Sequence, residues 1–180
     1  MMARLTRLLR RFRTDTRGVS ALEFAMLVPL MLTLYIGTVE VSLGVAADRK
    51  LAIAARTTAD LVAQTKTMNP AELANVFKAA EAVMAPYSAG RLTIAITSIA
   101  VDDTGKTTVL WSRANKGAAK KTQDLSVPAA FRTSARSLVW VEAKYDYVPM
   151  KIWSFIDTVH LKSESYMSPR IAEAVQWSNS

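Results

Sequence analysis

An uncharged run of sixteen residues near the N-terminus restricts the possible folds of this chain more than any other feature. The run extends from Phe24 to Val39, and its apolar character continues past Glu40 to Ala47. An α-helix rises about 1.5 Å per residue, so about 20 residues cross the hydrocarbon core of a bilayer, which is about 30 Å thick. The stretch therefore predicts one membrane-spanning helix, with Glu40 near the far interface.

The charges on either side of the run predict its orientation. Six arginines precede it and none follows it within the first forty residues. The six are Arg4, Arg7, Arg10, Arg11, Arg13 and Arg17. By the positive-inside rule the N-terminus is expected in the cytoplasm and everything after Ala47 on the other side of the membrane.

The net charge of +8 does not indicate a nucleic-acid-binding protein. The six leader arginines, less Asp15, account for +5 of it, and the remaining +3 is spread over the rest of the chain. No later segment interleaves Lys or Arg with aromatic residues, as a nucleic-acid platform would. The sequence contains no cysteine, which excludes disulfides, thiol catalysis and Cys-ligated metals.

A cleavable secretory signal is an alternative to a permanent anchor. Small residues at Gly44, Val45 and Ala46 could serve as its cleavage site. However, the apolar run exceeds the usual signal core of about 7 to 15 residues, and a helical pattern continues beyond it. Pro29 does not contradict a membrane helix, because proline is tolerated there and kinks the axis. The anchor is the favoured interpretation.

A glycine and a carboxylate stand at the mouth of the apolar run. Gly18 is followed five positions later by Glu23 and then Phe24. Burying a carboxylate at the bilayer centre costs at least about 2.5 kcal/mol, and the cost falls toward the interface. Glu23 is therefore either a functional residue or a simple marker of the membrane boundary.

The segment from Arg17 to Ser42, RGVSALEFAMLVPLMLTLYIGTVEVS, resembles the TadE/TadG family of tight-adherence (Flp) pilus pseudopilins. Its first residues also resemble the processing site of type IV pilin-like proteins. The residues that carry the resemblance are Gly18, Glu23, Phe24, Pro29, Leu30, Gly37 and Glu40.

The resemblance implies that a membrane prepilin peptidase cuts between Gly18 and Val19, with Glu23 and Phe24 completing the processing motif. The chain would then be the substrate of an enzyme and not an enzyme itself. After the cut, Glu23 would lie one helical turn from the new amine of Val19 and could partly neutralise it.

The implied partners are membrane lipid, the peptidase, other pilin-like subunits and pilus assembly proteins, in the bacterial inner membrane. Helix assembly would involve Glu23, Pro29, Gly37 and Glu40. Small residues such as Gly37 and Ala54 would let another membrane helix approach closely.

Beyond the membrane, the sequence predicts two helical segments. Apolar residues at Leu51, Ala54, Ala55, Ala59, Leu61 and Val62 have helical spacing. They predict either a continuation of the membrane helix as the spine of a domain, or a surface amphipathic helix. Asn69 and Pro70 then predict the start of a second helix, which ends near Ala85 and Pro86.

From residue 91 onward, β-branched alternation replaces the helical pattern. Residues 92–101 and 107–113 predict a hairpin whose turn contains Asp102, Asp103 and Gly105. A polar loop is expected at 115–126. Residues 137–148 predict a strand buried on one side, and residues 158–167 a last strand, reached through a linker at 149–157. A short C-terminal helix is expected after Arg170.

These elements predict an α+β protein in which a long N-terminal transmembrane helix continues into a globular domain with a four-stranded antiparallel sheet packed on helices. The expected organisation is a basic cytoplasmic leader at 1–18, a transmembrane helix and spine at 19–67, and an exported periplasmic or extracellular α+β domain at 68–180.

No pattern of catalytic or metal-binding residues accompanies this domain. His160 is the only histidine, and a satisfied or solvated ring is expected. Asp102 and Asp103 are expected to act as turn residues, and the common nucleotide and nucleophile motifs are missing. We predict no catalytic residue, cofactor or metal. The four tryptophans at 111, 140, 153 and 177 are interpreted as core or sheet-edge anchors.

Two other functions compete with a pilus component. One is an unprocessed signal-anchored domain that binds a ligand in the periplasm, and the other is a secreted enzyme behind an ordinary signal peptide.

Overall fold

The computed structural model of the protein describes residues 17–125, 127–132, 137–150 and 157–179. Most of the predicted basic leader, Trp153 and most of the predicted linker at 149–157 lie outside these ranges. The helices are α1 Arg17–Ala63, α2 Pro70–Val83 and the short α3 Ala129–Arg132. The strands are β1 Thr67–Met68, β2 Leu92–Val101, β3 Thr107–Ala114, β4 Ser137–Tyr147, β5 Val159–Met167 and β6 Gln176–Trp177. Short 3₁₀ turns lie at Ala89–Arg91 and Thr122–Asp124.

Packing divides the chain into two units, residues 1–42 and 43–180, and α1 contributes to both. In the first unit, the hydroxyl groups of α1 donate back to its own backbone. Thr33 bonds the Pro29 carbonyl at 2.7 Å and Thr38 bonds the Leu34 carbonyl at 2.9 Å. Such bonds satisfy hydroxyls where no water is present, so these polar residues are compatible with a membrane helix.

In the second unit, the C-terminal half of α1 forms part of the core. Its fully buried residues are Ala47, Leu51, Ala54, Ala55, Ala59, Val62 and Ala63. The prediction that α1 continues as the spine of the domain is confirmed. Leu61 is an exception within the predicted apolar face, because it remains 37% exposed.

The second helix begins at the predicted cap. The Asn69 side chain accepts from the Glu72 N–H at 2.9 Å, and the Glu72 carboxylate accepts from the Asn69 N–H at 3.2 Å. This reciprocal pair is a capping box, which satisfies N–H groups that the first helical turn leaves free. The helix then buries Leu73, Val76 and Ala80 in the core.

Four strands form one antiparallel sheet in the order β3-β2-β4-β5. The predicted hairpin of β2 and β3 is confirmed. At its turn, one Asp102 carboxylate oxygen accepts from the Thr104 N–H, the Thr104 hydroxyl and the Lys106 N–H. Gly105 adopts a φ of 79°, a conformation that glycine reaches without steric cost.

The sheet is covered on both faces along β4, which differs from the predicted burial on one side only. Every residue of β4 from Ser137 to Ala143 is buried. One face contributes to the large core with α1 and α2. The opposite face forms a second cluster from Ile99, Val101, Val127, Leu138 and Trp140. Val127 belongs to the segment between β3 and β4, so this connection provides the second cover.

The predicted C-terminal helix is wrong. Residues 170–174 form bends, and residues 176–177 are β6, which pairs in parallel with β1. The Arg170 N–H bonds the Ala63 carbonyl at the end of α1, and the Gln176 N–H bonds the Lys66 carbonyl. Val175 is fully buried, and tertiary bonds therefore replace the local bonds of a helix.

Candidate functional site

The predicted processing residues lie in the first two turns of α1. Gly18, Val19, Glu23 and Phe24 are all exposed, Val19 at 54% and Phe24 at 67%. Gly18 lies one residue after Arg17, where the described part of α1 begins.

Helical spacing relates Val19 to Glu23. Residues four apart lie on the same face of an α-helix, with about 5 to 6 Å between their Cβ atoms. An amine created at Val19 would then be near the Glu23 carboxylate.

The predicted assembly residues occupy different environments along α1. Pro29 lies inside the helix and removes one backbone donor there. A Cβ added at Gly37 would meet nothing within 4 Å, so its face is open. Glu40 is 6% exposed, in contrast to the exposed apolar side chains that precede it.

The N-terminal part of α1 is long and apolar enough to cross a membrane. Its most apolar 18-residue window has a mean hydropathy of 1.9 and none of it is buried. Large apolar side chains that remain exposed include Leu22, Met26, Leu30, Leu34 and Tyr35. In water this exposure would be costly, whereas in a bilayer it is favourable.

Residues 18–60 match the family model described as TadE-like protein. The match confirms the resemblance inferred from the residues between Gly18 and Glu40. It covers about a quarter of the chain and ends within α1. Comparisons with curated proteins and with solved structures find no match. The TadE-like segment indicates a component associated with the tight-adherence pilus.

Outside the TadE-like segment, an ionic cluster that the sequence did not predict surrounds Glu142. Alternation along β4 places Glu142 on a solvent-facing side, but its side chain is only 7% exposed. Three ammonium groups contact it, those of Lys120 at 2.9 Å, Lys144 at 3.0 Å and Lys162 at 3.3 Å. Lys144 could have been predicted from its spacing along β4. Lys120 could not, because a long connection brings it to the sheet.

These contacts set the ionisation of the cluster. Burial raises the pKa of the Glu142 carboxyl, but the hydrogen bonds and charges of the lysines outweigh burial and lower the pKa to about 2. Beside it, Lys162 also contacts Glu164 at 2.6 Å. Burial raises the pKa of the Tyr166 phenol, and its hydrogen bond to Glu164 raises it further. The carboxylates are thus held ionised and the phenol protonated.

The histidine and the tryptophans singled out by the sequence make structural contacts in the described chain. His160 is exposed and contacts Asp146 through Nδ1 at 2.7 Å, as expected for a solvated and satisfied ring. Trp111 is buried and donates to the Val175 carbonyl at 2.7 Å. Trp140 is also buried, and Trp177 packs beside Trp111 with 5.5 Å between ring centroids.

Proposed function

We propose that the protein is a TadE-like pseudopilin, a structural or assembly component of a tight-adherence pilus. It is processed by a prepilin peptidase between Gly18 and Val19. Helix α1 anchors it once in the bacterial inner membrane, and the α+β domain lies in the periplasm or outside the cell. The protein has no catalytic role and acts through contacts with lipid and with other pilus proteins.

The observation that carries this proposal is the coincidence of the TadE-like match with the candidate membrane span. The match begins at Gly18, which is the residue expected before the cut. The apolar, exposed part of α1 follows directly. An ordinary signal peptide would require neither the Gly18–Glu23 spacing nor the continuation of the same helix into the core of the domain.

Processing at Gly18 requires a local change of structure. A protease needs its substrate in an extended conformation, and Gly18 is helical in the described chain, so α1 must unwind around this residue. Glycine also lets the extended backbone lie close to catalytic carboxylates.

N-terminal sequencing of the protein extracted from membranes tests this proposal. A mature end at Val19 is expected when the peptidase is present, and the intact chain when the peptidase gene is deleted. An end at Met1 or Met2 in peptidase-positive cells would instead support a signal-anchored binding domain. An end near Ala47 would indicate a secreted protein.

Glu23 is proposed to neutralise the amine of Val19 within one subunit or between packed neighbours. The Glu23→Gln variant should therefore impair processing or pilus assembly, which immunoblotting of the precursor and electron microscopy of pili would measure. Glu81→Gln, in α2, is the matched control and should behave as wild type. Normal processing together with normal pili in Glu23→Gln would contradict this role.

A further inference from the structure

A small groove opens on the outer face of the sheet, on the side away from α1 and α2. Its volume is about 160 Å³, and its lining comes from β2, β4 and the loop after β3. The lining residues are Thr93, Ala95, Lys116, Gly117, Ala118, Lys120, Glu142 and Lys144. This volume corresponds to about five water molecules and lies below the range of about 300 to 1,000 Å³ typical of sites for larger ligands.

The floor of the groove is set by the register of the sheet. Thr93 pairs with Lys144 and Ala95 pairs with Glu142, and these four residues share one face of adjacent strands. The short side chain of Ala95 leaves space beside the long side chain of Glu142. The concavity is therefore a consequence of residue size at paired positions.

The wall of the groove is held in place at both ends. At one end, the Asn115 side chain accepts from the Ile94 N–H at 2.8 Å and donates to the Leu92 carbonyl at 3.2 Å. At the other end, the Lys120 N–H donates to the Ser112 hydroxyl at 2.9 Å. Between them, Gly117 adopts a φ of 79°, which lets the loop turn. The lysines of this loop are thus positioned before any ligand arrives.

The groove carries an excess of positive charge. Three lysines and one glutamate line it, so the lining has a net charge of +2. Lys162 reaches Glu142 from outside the groove, but Glu164 neutralises it at 2.6 Å. Lys116 contacts no carboxylate in the described contacts and instead donates to the Gly90 carbonyl at 2.6 Å. Its charge is available to an incoming anion.

We propose that this groove binds a single phosphate group. A phosphate monoester carries about −1.5 to −2 charges at pH 7, which matches the excess charge of the lining. Lysines bind phosphate as point charges and need no bidentate geometry. Glu142 acts as a positioning residue, because its buried carboxylate holds Lys120 and Lys144 at the groove while leaving the excess charge. The inference does not depend on the role of α1.

Calorimetric titration of the full-length protein in phosphatidylcholine nanodiscs with inorganic phosphate tests this site. Saturable binding is expected at low ionic strength. Lys116→Gln should weaken it about tenfold or more, because a charge-assisted contact is lost. Lys78→Gln, an exposed lysine of α2, should leave it unchanged. Lys144→Gln provides a second groove variant, and thermal unfolding of each variant monitors folding.

Heat that does not saturate, or equal losses in Lys116→Gln and Lys78→Gln, would overturn the proposal. The source of the phosphate is separated by competition. Displacement by phosphatidic acid in the nanodisc would identify a lipid headgroup, and displacement by glucose 6-phosphate but not by glucose would identify a soluble phosphate ester. Saturable binding that neither competitor displaces would support a site for inorganic phosphate itself.

Discussion

At the scale of single residues, Glu142 illustrates how neighbours determine the charge of a buried group. A carboxylate that is 7% exposed would normally become easier to protonate. The lysines reverse this effect because each donates to the ionised form. The same contacts make the carboxylate a stabilising group whenever it is ionised.

The pH dependence of stability follows from this shift. The pKa of Glu142 falls from its ordinary value of 4.5 to about 2 in the folded chain. A lowered pKa in the folded state stabilises the protein above pH 4.5, and this contribution is lost as the pH falls toward 2. The free energy of unfolding of the wild type should therefore decrease across this window. It can be measured by urea denaturation in detergent, followed by tryptophan fluorescence.

The free energy of unfolding of the Glu142→Gln variant should decrease less steeply in the same window, because the titrating group is absent. Some slope should remain, since Glu164 also has a lowered pKa. At pH 7 the variant should be less stable by about 1 to 3 kcal/mol, the range for a lost charge-assisted hydrogen bond. Glu81→Gln should keep the wild-type slope. Identical slopes for Glu142→Gln and the wild type would contradict the assignment.

At the scale of elements, α1 changes character along its length. Before Ser42 most of its large apolar side chains are exposed, and from Ala47 onward one side of the helix is buried, including the alanines at 47, 54, 55, 59 and 63. Alanines at buried positions allow close approach of other elements, and a larger side chain there must displace its neighbours. Small residues in this part of α1 therefore have a packing role within the domain.

Enlarging one of these alanines tests the packing. Ala59→Leu should reduce the free energy of unfolding by about 1 to 3 kcal/mol, because position 59 has no exposed surface. Ala52→Leu is the matched control on the exposed side of the same helix and should change stability by less than about 0.5 kcal/mol. Urea denaturation of both variants measures the difference. Equal effects would show that the core does not constrain α1.

The C-terminal segment is stabilised by contacts that its own sequence does not reveal. The Val175 carbonyl accepts from the Trp111 indole at 2.7 Å and from the Ser98 hydroxyl at 3.0 Å. Arg113 also lies over the Trp177 ring at 4.3 Å. The pattern of residues 171–177 favours a helix, but these tertiary contacts give an extended segment instead.

Shortening Val175 tests this packing. Val175→Ala should cost about 2 kcal/mol of stability, because two buried methyl groups are lost and a cavity remains. Val159→Ala in β5 removes the same groups from a side chain that is 43% exposed and should cost less than about 0.5 kcal/mol. Thermal unfolding of the two variants provides the comparison. A similar fall of the unfolding temperature in both variants would indicate that the C-terminal segment does not belong to the core.

At the scale of the whole molecule, the charge asymmetry and the apolar run define how the chain is expected to lie in a membrane. Six arginines precede the run, and the α+β domain follows it. The chain contains no cysteine, so a single introduced cysteine reports its own position without background. Asp103 is suitable because it is exposed in the turn between β2 and β3.

Asp103→Cys should react with a membrane-impermeant maleimide in spheroplasts, whose cytoplasmic membrane is intact. The physical reason is the positive-inside rule, by which the domain is expected outside the cytoplasm. Gel shifts before and after lysis measure the labelled fraction, which should be the same in both. Labelling that requires lysis would reverse the proposed orientation.

Much of this protein follows from short-range patterns. The apolar run defined α1, the Asn69–Pro70 pair defined the start of α2, and β-branched alternation defined the four long strands. The residues between Gly18 and Glu40 that carry the TadE-like resemblance also lie close together in sequence. Each of these signals is local, so no knowledge of the tertiary structure is needed to interpret it.

Only the tertiary structure decided which surfaces are covered and which charges meet. The connection after β3 folds over the sheet, and this buries the second face of β4 and brings Lys120 to Glu142. The C-terminal segment pairs with β1 instead of forming a helix. These features depend on contacts between residues that are distant in sequence. Such contacts can outweigh local helix and strand preferences, and they are not visible in any short stretch of sequence.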